Sequence, residues 1–292
     1  PGDTYANRMP DPVLQQVEHF NNPGVTANDA FKPVTRYFDR ITRPEQIIQS
    51  FPAAIQTMLD PADCGPACIS LSQDIQGQTF DYPEEFFKEK IHAIRRPRPD
   101  EFQIKEAAEK IKSSKNPIII SGGGVFYSDA MEDLSNFAIK HNIPVTQTVM
   151  GYSTMKRDHS HFAGQIGALG GKNTNSLAKQ TDLAIAVGTK LGDFTTGSWA
   201  NFENENFKLV SINVSRFDAN KHLGQAVVGD AKVSLNDLSQ ALGDWKSGEE
   251  WNKKSQVELK AWNEQVDKES APTNQEVPSY VQVIGAVYQN SD

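Results

Sequence analysis

The chain has 292 residues, of which 38% are hydrophobic and 23% charged, and a formal net charge of -8. This length predicts about two domains at ~150 residues each, and the acidic balance excludes a basic nucleic-acid-binding surface. No apolar run approaches the roughly 20 residues that a membrane-spanning helix needs, and no signal-peptide pattern is visible at the N-terminus.

Pro1-Gly-Asp-Thr-Tyr5 has no starting Met and reads like the inside of a loop, while residues 281–292 read like a helix still running. The expectation is a piece of a longer polypeptide. Residues 11–20 hold one short helical face, Val13, Val17 and Phe20. A strand is expected over residues 34–38. Thr42, Pro44 and Glu45 then predict a helix start with a capping box. Ile47, Ile48, Phe51, Ala54, Ile55, Met58 and Leu59 keep a helical period, with Pro52 expected to kink or split the helix. Residues 65–72 read as a buried strand. Cys64 and Cys68 are too few for a disulfide framework or a zinc site; free thiols in a reducing cytoplasm are the expected state.

Arg95-Arg-Pro-Arg-Pro-Asp100 reads as an extended, solvated strap. Beyond it, Phe102, Ile104, Ala107, Ala108 and Ile111 mark a helix. Strands are expected at 117–121, 144–149, 162–166, 183–187, 208–214 and 226–228, and helices at 130–141, 173–180 and 233–242. This alternation predicts an α/β fold with a doubly wound, parallel sheet of about six strands, covered by helices on both faces. The domain boundaries expected are 1–92 for the end of a first α/β domain, 93–100 for a linker, 101–245 for the sheet domain, and 246–292 for a second linker and the start of another domain. A polar helix is expected over 249–268.

Ligands of such sheets sit at the carboxyl ends of the strands, where strand order reverses. Gly122, Gly123 and Gly124 follow the strand at 117–121, Gly188 and Thr189 follow 183–187, and Asn213 ends 208–214. These six residues are the candidate nucleotide-type crevice. Glycines leave room for backbone approach, and a helix starting near Ser128 would offer free N–H groups to a phosphate. A plain strand-to-helix turn explains the same three glycines. Phe194-Thr-Thr-Gly-Ser-Trp199 can bind phosphate or hydroxyls or simply cap a helix, and capping is the preferred reading. His159 and His161 flank Ser160 without a recognisable third metal ligand, so a surface loop is expected there. No catalytic or metal-ligating residue is assigned from spacing, and no G-x-S-x-G, Walker or H-E-x-x-H pattern is present.

The order of segments resembles the thiamine diphosphate enzymes of the acetohydroxyacid synthase group. Gly65-Pro-Ala-Cys-Ile-Ser-Leu-Ser-Gln-Asp-Ile-Gln76 is similar to the strand closing their pyrimidine-binding domain. Residues 116–124, 144–151, 182–192 and 210–216 are similar to successive strands of their central domain. Three further segments narrow the resemblance to members acting on an inositol-derived ring: 31–46, 193–199 (Asp193-Phe-Thr-Thr-Gly-Ser-Trp199) and 217–222 (Phe217-Asp-Ala-Asn-Lys-His222).

The resemblance implies a cytoplasmic hydrolase that cleaves a C–C bond of a cyclic diketone and gives 5-deoxy-glucuronate, with thiamine diphosphate (TPP) and Mg2+ as cofactors and a homodimer or tetramer as the assembly. It implies that the activating glutamate lies upstream of Pro1 and the magnesium-binding Gly-Asp-Gly segment downstream of Asp292, so the chain alone is expected to be inactive. Gly151 and Gly188 stand where relatives approach FAD or ADP. No flavin is expected here, and these glycines read as inherited architecture. A nucleotide-binding unit and a spacer between catalytic domains are the competing readings.

Overall fold

The computed structural model describes residues 1–8 and 21–291; the helix expected from Val13, Val17 and Phe20 lies outside them. The chain divides into two units, Pro1–Arg95 and Arg96–Asp292.

In the first unit, β1 (Gly2–Asp3), β2 (Tyr37–Ile41), helix α1 (Ile47–Leu59) and β3 (Ala67–Ser72) build a parallel sheet in the order β1-β3-β2. The second strand begins at Tyr37 rather than at residue 34, because Val34 closes a 3-10 helix, Ala27–Val34. That helix is capped reciprocally by Thr26 and Asp29. The start of α1 also differs from the sequence expectation. Gln46, not Glu45, turns back, and its Oε1 accepts from the N–H groups of Thr42 at 2.7 Å and Arg43 at 3.1 Å. Helix α1 then runs through Pro52 without a break. Pro52 is exposed, so the backbone bond it removes lies on the water side, where a carbonyl can be hydrated.

A buried polar network locks this unit. Asp3 is fully buried and accepts from Arg40 Nε at 2.7 Å and from the Ser70 hydroxyl. Arg40 also donates to Thr26 Oγ1 and Asp29 Oδ2, both at 2.9 Å. Asn28 ties the 3-10 helix to Gly2 O and Ser70 Oγ. Burial pushes the Asp3 carboxyl up, but hydrogen bonds from Ser70, Arg40, Thr26 and Thr4 outweigh it and hold it below the usual carboxylate range. Burial acts the same way on Asp29, and there Lys32, Thr26 and Arg40 bring the carboxyl down to about 2.

The second unit follows the strand–helix alternation read from the sequence. Its elements are α2 (Glu101–Lys112), β4 (Pro117–Ser121), α3 (Gly124–Tyr127), α4 (Met131–His141), β5 (Val145–Gln147), β6 (Phe162–Gln165), α5 (Lys172–Gln180) and β7 (Leu183–Val187). There follow α6 (Asp193–Thr196), β8 (Lys208–Asn213), α7 (Arg216–Asn220), β9 (Gln225–Val228), α8 (Ala231–Leu242), α9 (Glu249–Ser270) and α10 (Tyr280–Asn290). The six strands are all parallel, in the order β6-β5-β4-β7-β8-β9. The chain winds outward from β4 to β6, crosses back, and winds outward again from β7 to β9. This is the doubly wound order. Strand β4 is buried on both faces: Ile119 packs with α2, α4 and α8, while Ile118 and Ile120 pack with α5 and Trp251.

Two segments differ from their sequence reading. The Arg95–Arg98 stretch is exposed, as expected, but it is also tied to the unit by ion pairs. Arg96 pairs with the buried Asp230 at 3.1 Å, Arg98 pairs with Asp237 at 2.5 Å, and Pro97 O accepts from Asp230 N at 2.8 Å. The polar helix α9 is part of the sheet's cover. Trp251 is buried and its Nε1 donates to Pro117 O at 2.8 Å, and Gln256 donates to Phe162 O.

Trp251→Phe keeps an aromatic side chain, though a smaller one, and leaves Pro117 O without its donor, which costs about 1–3 kcal/mol. All four tryptophans (Trp199, Trp245, Trp251 and Trp262) lie in the second unit, so the fluorescence of the remaining three reports that unit. A lower urea midpoint at unchanged slope is expected; an unchanged midpoint counts against the bond.

Acid should weaken the same unit. His141 is fully buried, with Nδ1 donating to Trp245 O at 2.8 Å and Nε2 facing Ser239 Oγ at 3.0 Å. Burial pushes His141, His159 and His161 below the usual histidine value. The unfolded chain therefore binds protons that the folded chain refuses. Stability is complete above about pH 6.5, the unfolded value, and falls as pH drops through the depressed folded values. Urea midpoints between pH 8 and 5 check this; a midpoint that rises on acidification contradicts it.

Candidate functional site

Strand order reverses between β4 and β7, and the structure brings all six candidate residues to their carboxyl ends and that of β8. Gly122 N donates to Val187 O and Gly124 N to Gly188 O, each at 2.9 Å. A Cβ on Gly122 would lie 2.4 Å from Gly188 O, and one on Gly124 would lie 2.6 Å from Gly188 Cα. Gly188 has φ of +60°. These glycines are required because two backbone turns touch each other. Gly123 is less confined, with a Cβ there meeting Met150 O at 3.2 Å.

The polar groups of the cluster are paired within it. Asn213 Nδ2 donates to Thr189 O at 3.2 Å, and Asn213 Oδ1 accepts from Ser215 N at 2.9 Å. Thr189 Oγ1 accepts from Leu191 N at 3.2 Å. Asn213 therefore holds β8 to the loop after β7 rather than presenting its amide to a sugar hydroxyl. The helix expected near Ser128 is also placed differently. Helix α3 begins at Gly124 and is one turn long, and Ser128 caps its end. Ser128 Oγ accepts from Ala231 N at 3.2 Å, and the next helix, α4, begins at Met131. The dipole argument for a phosphate at that point loses its helix.

Gly151 performs the same service at β5: a Cβ there would lie 2.2 Å from Ser121 O. The rim above these turns carries the exposed side chains of Tyr127, Met150 and Phe194.

Two segments separated in sequence meet beside the crevice. Helix α6 ends in three consecutive left-handed residues, Gly197, Ser198 and Trp199. Ser198 Oγ donates to Asp193 Oδ1 at 2.6 Å, so the hydroxyl-rich stretch closes its own helix. Trp199 packs edge-on against His222, with ring centroids 4.8 Å apart. The sequence singles out both stretches but gives no signal that they touch.

The loop with His159 and His161 is not simply a surface loop. His161 is buried and faces Asn142 Oδ1 at 3.2 Å, and His159 Nε2 faces Ser135 Oγ at 2.9 Å. Among the described residues, no group of three or more His, Cys, Asp or Glu side chains is gathered to hold a metal ion.

The family profile "thiamine pyrophosphate enzyme, central domain" matches residues 104–238. The chain is 44% identical over 268 residues to 3D-(3,5/4)-trihydroxycyclohexane-1,2-dione hydrolase of Clostridium perfringens, covering 92% of this chain and 42% of that protein. Enzymes of the same name from Clostridium botulinum and Bacillus velezensis are 48% and 47% identical. Those matches cover 83% and 85% of this chain, and 38% and 39% of the relatives. The chain thus spans about two fifths of the length of these curated relatives. Strand order, glycine turns and sequence agree: residues 104–238 match the central-domain family of the thiamine pyrophosphate enzymes, within a chain similar over most of its length to these hydrolases.

Proposed function

We propose that the chain is the middle part of a TPP-dependent hydrolase that cleaves a C–C bond of 3D-(3,5/4)-trihydroxycyclohexane-1,2-dione to give 5-deoxy-glucuronate in myo-inositol degradation. One observation carries this reading: the 44% identity runs through 92% of the chain, and so through both of its units. In this reading residues 1–92 end a pyrimidine-binding domain, 93–100 link it to the central domain at 101–245, and 246–292 lead into a diphosphate-binding domain. The whole enzyme is then cytoplasmic, uses magnesium with TPP, and works as a homodimer or tetramer.

The residues present do not by themselves fit TPP and magnesium. No carboxylate cluster is gathered among the described residues, and the polar atoms of Thr189 and Asn213 at the crevice are already paired. No catalytic step is assigned to them. Gly122, Gly123, Gly124, Gly188, Thr189 and Asn213 support the reading of a nucleotide-type crevice kept as architecture, with the central domain acting as a spacer. FAD or ADP lying across those six residues is the second reading, favoured by their place at the reversal of strand order. Another enzyme of the acetohydroxyacid synthase group remains the alternative for the parent.

Calorimetry of the 292-residue chain with TPP and magnesium should show no binding, while the full-length protein binds cofactor and turns over the diketone. Micromolar 1:1 binding by the chain itself would refute the placement of the cofactor site outside it. Titration with ADP and FAD should also show no saturable heat; a tight complex lost in Asn213→Ala would favour the second reading. Failure of the full-length protein to hydrolyse the diketone would overturn the substrate.

A further inference from the structure

Helix α10 is largely exposed, including Tyr280, Ile284 and Val287, so apolar burial does little to hold it in place. Two attachments do. Near its start, Gln282 Nε2 donates to Ala271 O and to Thr273 Oγ1, each at 3.0 Å. This ties the helix to the connector that follows α9. Near its end, Tyr288 meets Arg157, a residue of the loop between β5 and β6.

The Arg157 guanidinium serves two tyrosines. It donates through Nη1 to Tyr288 Oη at 3.2 Å and through Nη2 to Tyr152 Oη at 2.9 Å. Its carbon lies 5.3 Å from the Tyr288 ring centroid and 5.6 Å from that of Tyr152. Tyr152 directly follows the 3-10 turn Val149–Gly151, which is pressed onto Ser121 O at the end of β4. The clamp is therefore anchored on one of the least yielding turns of the sheet.

We propose that Arg157 is a positioning residue that fixes the direction of α10 against the carboxyl rim of the six-stranded sheet. A helix held only over Gln282 to Gly285, one turn near its start, can swing about that turn. A second attachment six residues on, roughly 9 Å along the axis, removes the swing. Arginine suits this role because its planar, always-charged fork donates in two directions while stacking on aromatic rings. Lysine supplies the charge without the fork.

Hydrogen exchange of the intact 292-residue chain, followed on peptides covering residues 280–290, tests the clamp. Arg157→Ala should speed exchange in α10 about tenfold, the size expected for losing an exposed cation–aromatic pair with its hydrogen bonds. Exchange in β4, β7 and β8 should not change. Arg157→Lys should recover part of the protection, and Tyr288→Phe, which keeps the ring, should fall between Arg157→Ala and the parent chain. Arg157→Ala combined with Tyr288→Ala should be no looser than either alone. Unchanged exchange of α10 in Arg157→Ala, equal acceleration across the sheet, or additive effects of the two alanines would overturn the assignment.

Discussion

The second unit depends on two backbone turns touching where strand order reverses. Strands β4 and β7 are neighbours in a parallel sheet, with axes about 4.8 Å apart, yet their chains leave in opposite senses. The connection after β4, through α4, and the connection after β7, residues 188–207, cover opposite faces of the sheet: Leu134 and Phe137 pack in one core, Leu191, Phe202 and Phe207 in the other. The turns after β4 and β7 therefore start side by side and diverge at once. Gly122, Gly124 and Gly188 make this possible, because any Cβ there would run into the other turn's backbone.

The same closeness decides the chemistry of the crevice. In a nucleotide-binding turn, glycines open space and N–H groups point outward. Here the N–H groups of Gly122 and Gly124 are taken by Val187 O and Gly188 O, and Asn213 braces the loop after β7. The strand-end geometry of a ligand crevice is present, with two of its N–H groups, those of Gly122 and Gly124, bonded to the neighbouring turn. The short α3 adds little dipole, being a single turn.

The first unit is held by charge rather than by a large apolar face. Asp3 is buried where an unpaired carboxylate would be strongly disfavoured. Ser70, Arg40 and Thr4 satisfy it, and Arg40 reaches on to Thr26 and Asp29. Removing one partner would leave a buried charge uncompensated, which typically destabilises more than the pair itself stabilises. The network joins residues far apart in sequence: β1, the segment carrying Thr26 to Asp29, β2 and β3.

The sequence by itself determined the parallel sheet, its six strands and the glycine turns at their ends, because strand–helix alternation and Gly122 to Gly124 are local signals that packing reinforces. It also placed Gly188, Thr189 and Asn213 at the crevice, since the doubly wound order brings alternate strand ends together. Only the tertiary structure decided that these residues bond to one another, because a glycine reads the same whether a phosphate or a carbonyl approaches it. The ion pairs of the exposed Arg96 and Arg98 were not legible because their partners, Asp230 and Asp237, lie more than 130 residues away. Residues 34–36 read as strand from the β-propensity of Val34, but the Thr26–Asp29 cap starts a 3-10 helix that runs to Val34. Helix α9 read as polar because only a few of its residues meet the sheet, Trp251 bonding to Pro117 O of β4 and Gln256 to Phe162 O of β6. For Arg96, Arg98 and Trp251 a partner distant in sequence supplied the deciding interaction, and local pattern carries no record of such partners.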